Sequence, residues 1–292
     1  MDSAFWEPIL VGTLINAIVA LGLYVTLSSG QLSAAHAALM GVGAYVAGIL
    51  TVNFFWPYWP ALGAGALGGA LFGAAIAAPT SHMRLFVQNL TTVAYGMALS
   101  IVAYNIPYLG GAQSFTGMKT YTTLGTVVAM FCLSFYVTWT IDRSRIGLAA
   151  RAVRESEVAA SVLGISVSHI RVLTFAIGGA LAGLAGGLSA HYTLVVNPAE
   201  LGFYPAFSIV VYVLVGGSYT PLGAVLGALL LGIVPQALRF ADAYRFALYG
   251  MMIVLIVLRR PDGLLTRGSW NTLRRSSFLT GRFWRRRGSE AP

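Results

Sequence analysis

The stretch VLTFAIGGALAGLAGGLSAHYTLVV, residues 172–196, decides the fold class. It contains no Asp, Glu, Lys or Arg, and Gly179, Gly183 and Gly187 recur at every fourth position. An apolar run of roughly 20 residues is long enough to cross the hydrocarbon core of a bilayer as a helix. Small residues four apart leave a groove of bare backbone, against which a second helix packs closely. The stretch therefore predicts a transmembrane helix inside a helical bundle.

The rest of the chain has the same character. Of its 292 residues 57% are hydrophobic and 9% charged, and the mean hydropathy is +0.76. A soluble domain has about 25% charged residues. Two further ridges of small residues occur, Gly65/Gly69/Gly73 and Gly223/Gly227. The apolar runs are long and continuous, unlike the ten-residue alternations of a membrane β-barrel. We predict an all-α, polytopic transmembrane helical bundle.

Nine apolar segments are candidates for membrane segments, and a count of eight to ten is compatible with their boundaries. The seventh and the ninth are short enough to be tilted spans or re-entrant segments. The nine are Ile9–Leu27, Ser33–Asn53, Ala61–Ser81, Leu85–Tyr108, Thr122–Ile141, Val172–Val196, Phe203–Gly217, Leu222–Leu238 and Arg245–Leu258.

The basic residues predict the orientation of these segments. Five arginines lie between Arg143 and Arg171, and nine lie from Arg259 onward. Loops rich in Lys and Arg stay in the cytoplasm. Five segments precede the first cluster, so we expect the N-terminus outside and the C-terminus inside. This scheme puts fifteen basic residues inside and three outside, and it makes Phe54–Pro60 an outer aromatic belt.

The sequence lacks the residues that several functions require. Cys132 is the only cysteine, the four histidines form no metal-binding spacing, and no phosphate-binding loop occurs. We therefore predict no catalytic residues, no metal site and no cofactor. The basic residues flank apolar spans, which argues for membrane lipid rather than nucleic acid as their partner. No charged residue lies near the middle of a segment, which disfavours an ion-coupled secondary transporter.

The loop from 142 to 171 is the longest polar segment before the tail. Its pattern predicts one amphipathic helix over Arg151–Leu163, ended by Gly164 in a left-handed cap. Physics alone leaves two interpretations open. The helix either lies on anionic lipid or docks onto a cytoplasmic partner. Residues predicted to share the apolar face are Leu148, Ala149, Ala152, Ala159, Ala160 and Leu163.

A family resemblance favours the second interpretation. The run EVAASVLG, residues 157–164, resembles the EAA-type coupling motif of bacterial ATP-binding-cassette (ABC) importer permeases, and RAVRESEVAASVLGIS, 151–166, resembles its version in branched-chain amino acid permeases. GQLSAAHAALMGVGAY, 30–45, resembles that family's first motif. Gly216–Gly217 with Gly223 and Gly227 resembles its Gly-rich motif, and Arg260–Leu265 its closing motif. The resemblance covers Asn16 to Leu265 and is closer to the LivM-like than to the LivH-like subunit.

The chain departs from the family pattern at Ala35, Tyr219 and Ala224. These departures leave the identity of the substrate open. Branched-chain or similar small amino acids are the first expectation, and urea or short amides carried by the same architecture are the alternative. An ion-coupled secondary transporter is less favoured, because the intramembrane charge it needs is missing.

The resemblance also implies partners and sites. It implies a multi-pass subunit of the bacterial inner membrane that works with a second permease subunit, two cytoplasmic ATP-binding subunits and a periplasmic substrate-binding protein. Residues 1–265 would be the permease domain, with a cytoplasmic coupling loop at 142–171, and residues 266–292 a disordered basic tail in the cytoplasm. The resemblance implies coupling to the ATPase through Arg151, Arg154, Glu155, Glu157, Ala159, Ala160 and Gly164. Gln31, Ser33 and His36 either line the translocation path, since Ser28–Gly30 could interrupt a helix, or form hydrogen bonds between helices.

Overall fold

A computed structural model describes residues 3–83, 85–237, 245–259 and 263–264. Within these residues the chain is an all-α bundle, as predicted, with one two-stranded antiparallel sheet that pairs β1 (Phe115–Thr116) with β2 (Val195–Val196). Short 3-10 helices cover Pro107–Leu109, Gly111–Gln113 and Pro198–Leu201. The α-helices are α1 Ser3–Ser28, α2 His36–Val52, α3 Tyr58–Thr80, α4 Leu85–Asn105, α5 Leu124–Arg143, α6 Arg145–Glu155, α7 Glu157–Val162, α8 Val167–Thr193, α9 Phe203–Gly216, α10 Pro221–Ala237 and α11 Arg245–Arg259.

Five of the described helices are long and apolar enough to cross a membrane. They are α1, α3, α4, α5 and α8. Helices α9 and α10 qualify only as a pair, and the chain bends by 119° between them. Helix α2 has 17 residues and α11 has 15, which is short for a full span. The described residues therefore contain five spans, or six with the bent pair, and the predicted count of nine is not confirmed.

The glycine ridges hold the centre of the bundle together, as predicted. Helix α8 packs against α1, α2 and α3. A Cβ atom placed on Gly69 of α3 would lie 2.2 Å from the carbonyl oxygen of Gly179 on α8. One placed on Gly183 would lie 2.4 Å from the carbonyl oxygen of Gly65. Only glycine permits backbones to approach this closely, so the two ridges interlock face to face.

Four chain segments meet at one end of the bundle, which we call the coupling end. They are the α1–α2 break (residues 29–35), the end of α3, the α6–α7 connection and the α9–α10 bend (residues 217–220). Arg154 of α6 donates a hydrogen bond to the Ser218 carbonyl at 3.1 Å, and Arg171 of α8 donates one to the Ser81 carbonyl at 2.7 Å. The sheet formed by β1 and β2 lies at the opposite end, where the Asn53 side chain donates to the Tyr108 hydroxyl at 2.8 Å.

The described chain returns to the coupling end after α11. The Leu264 amide donates a hydrogen bond to the Val215 carbonyl at 3.0 Å, near the end of α9. Gly263 has φ +86° and lies so close to Gly217 that a Cβ would sit 2.5 Å from the Gly217 Cα. The described part of the predicted closing motif, Gly263–Leu264, therefore packs against the end of α9 and the α9–α10 bend. Arg84, Arg239, the rest of that motif and the tail at 266–292 lie outside the described residues.

The expected single helix over Arg151–Leu163 is wrong, because the segment forms two helices. Ser156 separates α6 from α7 with an extended backbone, φ −160° and ψ 114°. Its hydroxyl accepts a hydrogen bond from the Ala159 amide at 3.2 Å. A serine at this position satisfies an otherwise unpaired amide of the first helical turn, so it starts a new helix instead of continuing the old one.

Candidate functional site

Helix α7 presents apolar side chains away from the protein at the coupling end. Val158, Val162 and Leu163 are 75%, 81% and 77% exposed. Ala159 is exposed beside them, whereas Ala160 is 1% exposed and faces its own subunit. Ala160, which was predicted among the coupling residues, therefore packs within its own chain and holds α7 on the bundle. Of the three exposed side chains Leu163 had been singled out in the sequence, but neither Val158 nor Val162 had been.

Gly164 ends α7 as predicted. Its φ is +80°, in the left-handed region. The Ile165 amide donates to the Ala160 carbonyl and the Gly164 amide to the Ser161 carbonyl, both at 3.0 Å. These two bonds are the Schellman arrangement, in which a left-handed glycine turns the chain and satisfies the last carbonyls of a helix. Gly164 therefore fixes the direction in which the chain leaves α7 toward α8.

Two of the three arginines of α6, Arg151 and Arg154, face the bundle. Arg151 pairs with Asp142 at 2.7 Å, and the same carboxylate accepts a hydrogen bond from the Tyr24 hydroxyl at 2.8 Å. Arg154 donates to the carbonyl and the hydroxyl of Ser218 at 3.1 and 3.2 Å. The Arg154 guanidinium also lies 5.1 Å from the Tyr219 ring centroid, a cation–π distance. Both side chains thus tie α6 to the membrane helices, and Arg154 holds the α9–α10 bend.

Glu155 and Glu157 differ in their surroundings. The Glu155 side chain is exposed at the C-terminal end of α6. Glu157 starts α7, and its carboxylate forms an ion pair with Arg171 of α8. Arg171 is 4% exposed, so this pair links the surface helix to a buried guanidinium. Arg171 was counted in the sequence only as part of a basic cluster.

The three residues predicted for the path lie in and beside the α1–α2 break, and all three are buried in this subunit. Gln31 donates to the Ser29 hydroxyl at 3.0 Å and to the Arg171 carbonyl at 2.9 Å. The Ser33 hydroxyl accepts from the Ala35 amide at 3.1 Å. These hydrogen bonds link residues within the break to one another and connect the break to α8.

His36 begins α2 and lies between α1 and α8. Its Nε2 atom is 3.1 Å from the Thr26 hydroxyl, and its ring centroid is 5.7 Å from that of Phe175. Its Nδ1 atom has no hydrogen-bond partner among the described residues. The break itself is non-helical and contains Gly30, whose φ is +82°. It therefore supplies the interrupted helix that the Ser28–Gly30 sequence had suggested.

At the opposite end, the chain between α8 and α9 folds back into the bundle. The 3-10 helix Pro198–Leu201 lies between α2 and α4, where the Ser100 hydroxyl donates to the Pro198 carbonyl at 2.8 Å. Gly41 makes room for Leu201, since a Cβ on Gly41 would lie 2.3 Å from the Leu201 side chain. The Glu200 side chain on this turn is exposed in the single subunit.

The sequence has relatives among known proteins. A family described as "Branched-chain amino acid transport system / permease component" matches residues 6–257. The chain belongs to this family. The permease is 26% identical over 290 residues to the high-affinity branched-chain amino acid transport system permease protein LivM of Escherichia coli K12. The aligned region covers 87% of this chain and 68% of LivM.

Two further relatives show the breadth of the similarity. The permease is 33% identical over 190 residues to BraD of Pseudomonas aeruginosa, a permease protein of the same kind, covering 63% of this chain and 62% of BraD. It is 27% identical over 269 residues to the ribose import permease protein RbsC of Haemophilus influenzae, covering 86% and 83%. No solved structure shows significant similarity to the chain. The family resemblance inferred from the sequence is thus confirmed, and the chain is a multi-pass permease subunit of an ABC importer rather than an enzyme.

Proposed function

We propose that the permease carries branched-chain or similar small amino acids across the bacterial inner membrane. It would form the translocation path with a second permease subunit, receive substrate from a periplasmic binding protein and be energised by two cytoplasmic ATP-binding subunits. The substrate class is supported by the names of LivM and BraD. The partners follow from the family, whose members are permease components of transport systems.

The exposed apolar face of α7 is the single observation that carries the coupling role. Val158 and Val162 project from a helix that is anchored to its own subunit by Ala160 and Glu157. Single exposed apolar residues are common, but a cluster on a short anchored helix fits a groove on a partner protein. We therefore assign this face to the ATP-binding subunit. In this assignment Arg151, Arg154 and Glu157 position α6 and α7 on the bundle, Ala159 and Glu155 lie at the contact, and Gly164 sets the exit of the chain.

The orientation follows from the same assignment. We propose that the coupling end is cytoplasmic and that the β1–β2 sheet is periplasmic, with the N-terminus outside and the C-terminus inside. Most basic residues of the chain then lie on the cytoplasmic side, in agreement with the positive-inside rule. The nine apolar segments alternate in direction under this proposal, with α2, α9, α10 and α11 as short or bent membrane segments. The tail at 266–292 would contact anionic headgroups.

The α1–α2 break is our candidate for the part of the path that changes shape. Non-helical backbone at membrane depth is tolerated where it is buried in protein or lines a cavity. Gln31, Ser33 and His36 are buried in the single subunit, so they would reach the path only when the break opens toward the second permease. The unpaired Nδ1 of His36 supports this, because it leaves an acceptor or donor free for another partner.

A sugar is the second candidate substrate. The match to the ribose import permease covers 86% of this chain, as broadly as the match to LivM. Urea and short amides, considered from the sequence, have no supporting observation.

A reconstitution experiment decides between these substrates. The permease is purified with its associated subunits, incorporated into proteoliposomes with enclosed ATP, and supplied with its binding protein and labelled leucine. We expect ATP-dependent uptake that unlabelled isoleucine and valine inhibit and that ribose and urea do not. Proteoliposomes that enclose ADP are the control. Uptake inhibited by ribose but not by valine would refute the amino acid assignment.

A further inference from the structure

We propose that Arg171 is a positioning residue that transmits the movement of α7 to the α1–α2 break. The inference rests on the proposed function, because it takes α7 to be moved by a partner subunit. Arg171 lies in the second turn of α8 and is 4% exposed. A buried arginine needs several hydrogen-bond acceptors, and the positions of those acceptors show which parts of the protein it joins.

The guanidinium joins two elements of the coupling end. Its Nη1 atom donates to the Ser81 carbonyl at 2.7 Å, at the C-terminal end of α3. Its Nη2 atom forms the ion pair with Glu157, the first residue of α7. The guanidinium group is planar and rigid, so two acceptors bound by its two terminal nitrogens hold a fixed relative position. A displacement of Glu157 therefore acts directly on Arg171 and on the end of α3.

The backbone of Arg171 extends the connection to the break. Its carbonyl accepts a hydrogen bond from Gln31 Nε2 at 2.9 Å. The same Gln31 nitrogen donates to the Ser29 hydroxyl, and the side-chain oxygen Oε1 of Gln31 accepts a hydrogen bond from the Gln88 side chain of α4. Both hydrogens and the oxygen of this buried amide are thus in use. Any shift of Arg171 that Gln31 did not follow would leave buried polar groups unpaired, which is costly.

Two features distinguish this network from a static support. The α1–α2 break is non-helical and contains the left-handed Gly30, so its backbone can absorb dihedral changes that a helix cannot. In addition, Arg171 Nε and Gln88 Oε1 are buried without a hydrogen-bond partner in the part of the chain that the structure describes. A second arrangement of the same side chains could satisfy them. The network therefore joins a surface helix to a non-helical segment whose backbone is able to change, as transmission between sites requires.

The test measures hydrogen–deuterium exchange at residues 29–35 in the complete complex in lipid nanodiscs. The variants are Glu157→Gln, which removes the charge of the ion pair, and Arg171→Lys, which cannot bind both acceptors in the same way. The control is Arg143→Lys, since Arg143 packs over the Trp139 ring at 4.3 Å and belongs to a different part of the surface. Exchange is compared with and without a non-hydrolysable ATP analogue.

In the wild type we expect the nucleotide to change exchange at the break by roughly 5-fold or more, the lower end of measured coupling between sites. The change should disappear in Glu157→Gln and Arg171→Lys and persist in Arg143→Lys.

Retention of the nucleotide-dependent change in Glu157→Gln, or its absence from the wild type, would overturn the proposal. Glu157 is 55% exposed, so this variant tests the proposal even if Arg171→Lys fails to assemble. Labelled leucine uptake by the wild-type complex is measured in parallel. A complex with the exchange response but no leucine uptake would contradict the substrate assignment and leave the role of Arg171 standing.

Discussion

The interlocked glycine ridges of α3 and α8 allow a quantitative prediction from one helix. Gly69 and Gly63 both lie in α3, but in different surroundings. A Cβ on Gly69 would lie 2.2 Å from the Gly179 carbonyl oxygen. Ordinary van der Waals contact begins at 3.4 Å, so this separation is 1.2 Å too small. A Cβ on Gly63 would meet nothing within 4 Å. The obstacle at Gly69 is backbone, so relief requires α3 and α8 to separate.

Gly69→Ala should therefore destabilise the permease, and Gly63→Ala should not. Overpacking costs about 1–3 kcal/mol, and the higher helix propensity of alanine returns up to about 1 kcal/mol. With a cost near the upper limit, the net loss at Gly69 is about 2 kcal/mol. For a chain of this size that loss lowers the melting temperature by about 3 °C.

The assay is thermal denaturation of both variants in the same detergent, followed by intrinsic fluorescence at one scan rate, because membrane proteins often unfold irreversibly. Gly63→Ala is the matched control and should melt at or slightly above the wild-type temperature. Equal melting temperatures for the two variants would refute the reasoning, since they would show that the ridge of α3 is not in tight contact with α8.

Three further predictions concern the coupling end. In a Cys132→Ala background, an impermeant thiol reagent added to intact cells should label Gln113→Cys and not Ser161→Cys. The reverse labelling pattern would show that the proposed topology is inverted. Arg154→Lys should lower the melting temperature by about 1–2 °C, because losing a Ser218 hydrogen bond and the contact with Tyr219 costs about 1 kcal/mol. An unchanged melting temperature would show that Arg154 does not hold the bend. Gly164→Val should lose substrate-stimulated ATPase activity in the assembled complex, since a β-branched residue at φ +80° costs about 1–2 kcal/mol. Gly164→Asn should retain this activity, because asparagine tolerates a positive φ. Full stimulation in Gly164→Val would show that the turn is not needed for coupling.

The membrane helices were predictable because lipid imposes a simple rule on the sequence. A segment that crosses the bilayer must be apolar and must satisfy its own backbone, so long apolar runs such as residues 172–196 identify helices directly. The glycine spacing in α3 and α8 likewise predicted close contact, since no other residue permits it. The left-handed turn at Gly164 was predictable for the same local reason.

The error in the coupling segment arose where a polar side chain competes with helix formation. Ser156 splits this segment by capping α7, and the hydrophobic pattern on either side of it conceals the break. At the α9–α10 bend, Gly217 has φ +113° and Pro221 begins the next helix, in agreement with the boundary between the seventh and the eighth predicted segments.

The role of Arg171 could not be deduced from the sequence at all. Its acceptors, Ser81 and Glu157, are 90 and 14 residues away along the chain, and only the packing of α3, α7 and α8 brings them together. The same holds for Gln31, which the sequence placed at a helix break without indicating that its amide is bound to Arg171 and Gln88.

The central claim is that the exposed face of α7 couples this permease to an ATP-binding subunit. Its most direct test is the ATPase activity of the complete complex in proteoliposomes, with and without substrate-loaded binding protein, for Val162→Glu and for Val162→Ile as the matched control. Val162 is 81% exposed in the single subunit, so neither change should impair folding of the permease. If α7 occupies a groove on the ATP-binding subunit, Val162→Glu should abolish stimulation or assembly, because it buries an unpaired carboxylate, and Val162→Ile should preserve both. Full stimulation in Val162→Glu would contradict the account, since α7 would then not be in contact with the ATPase.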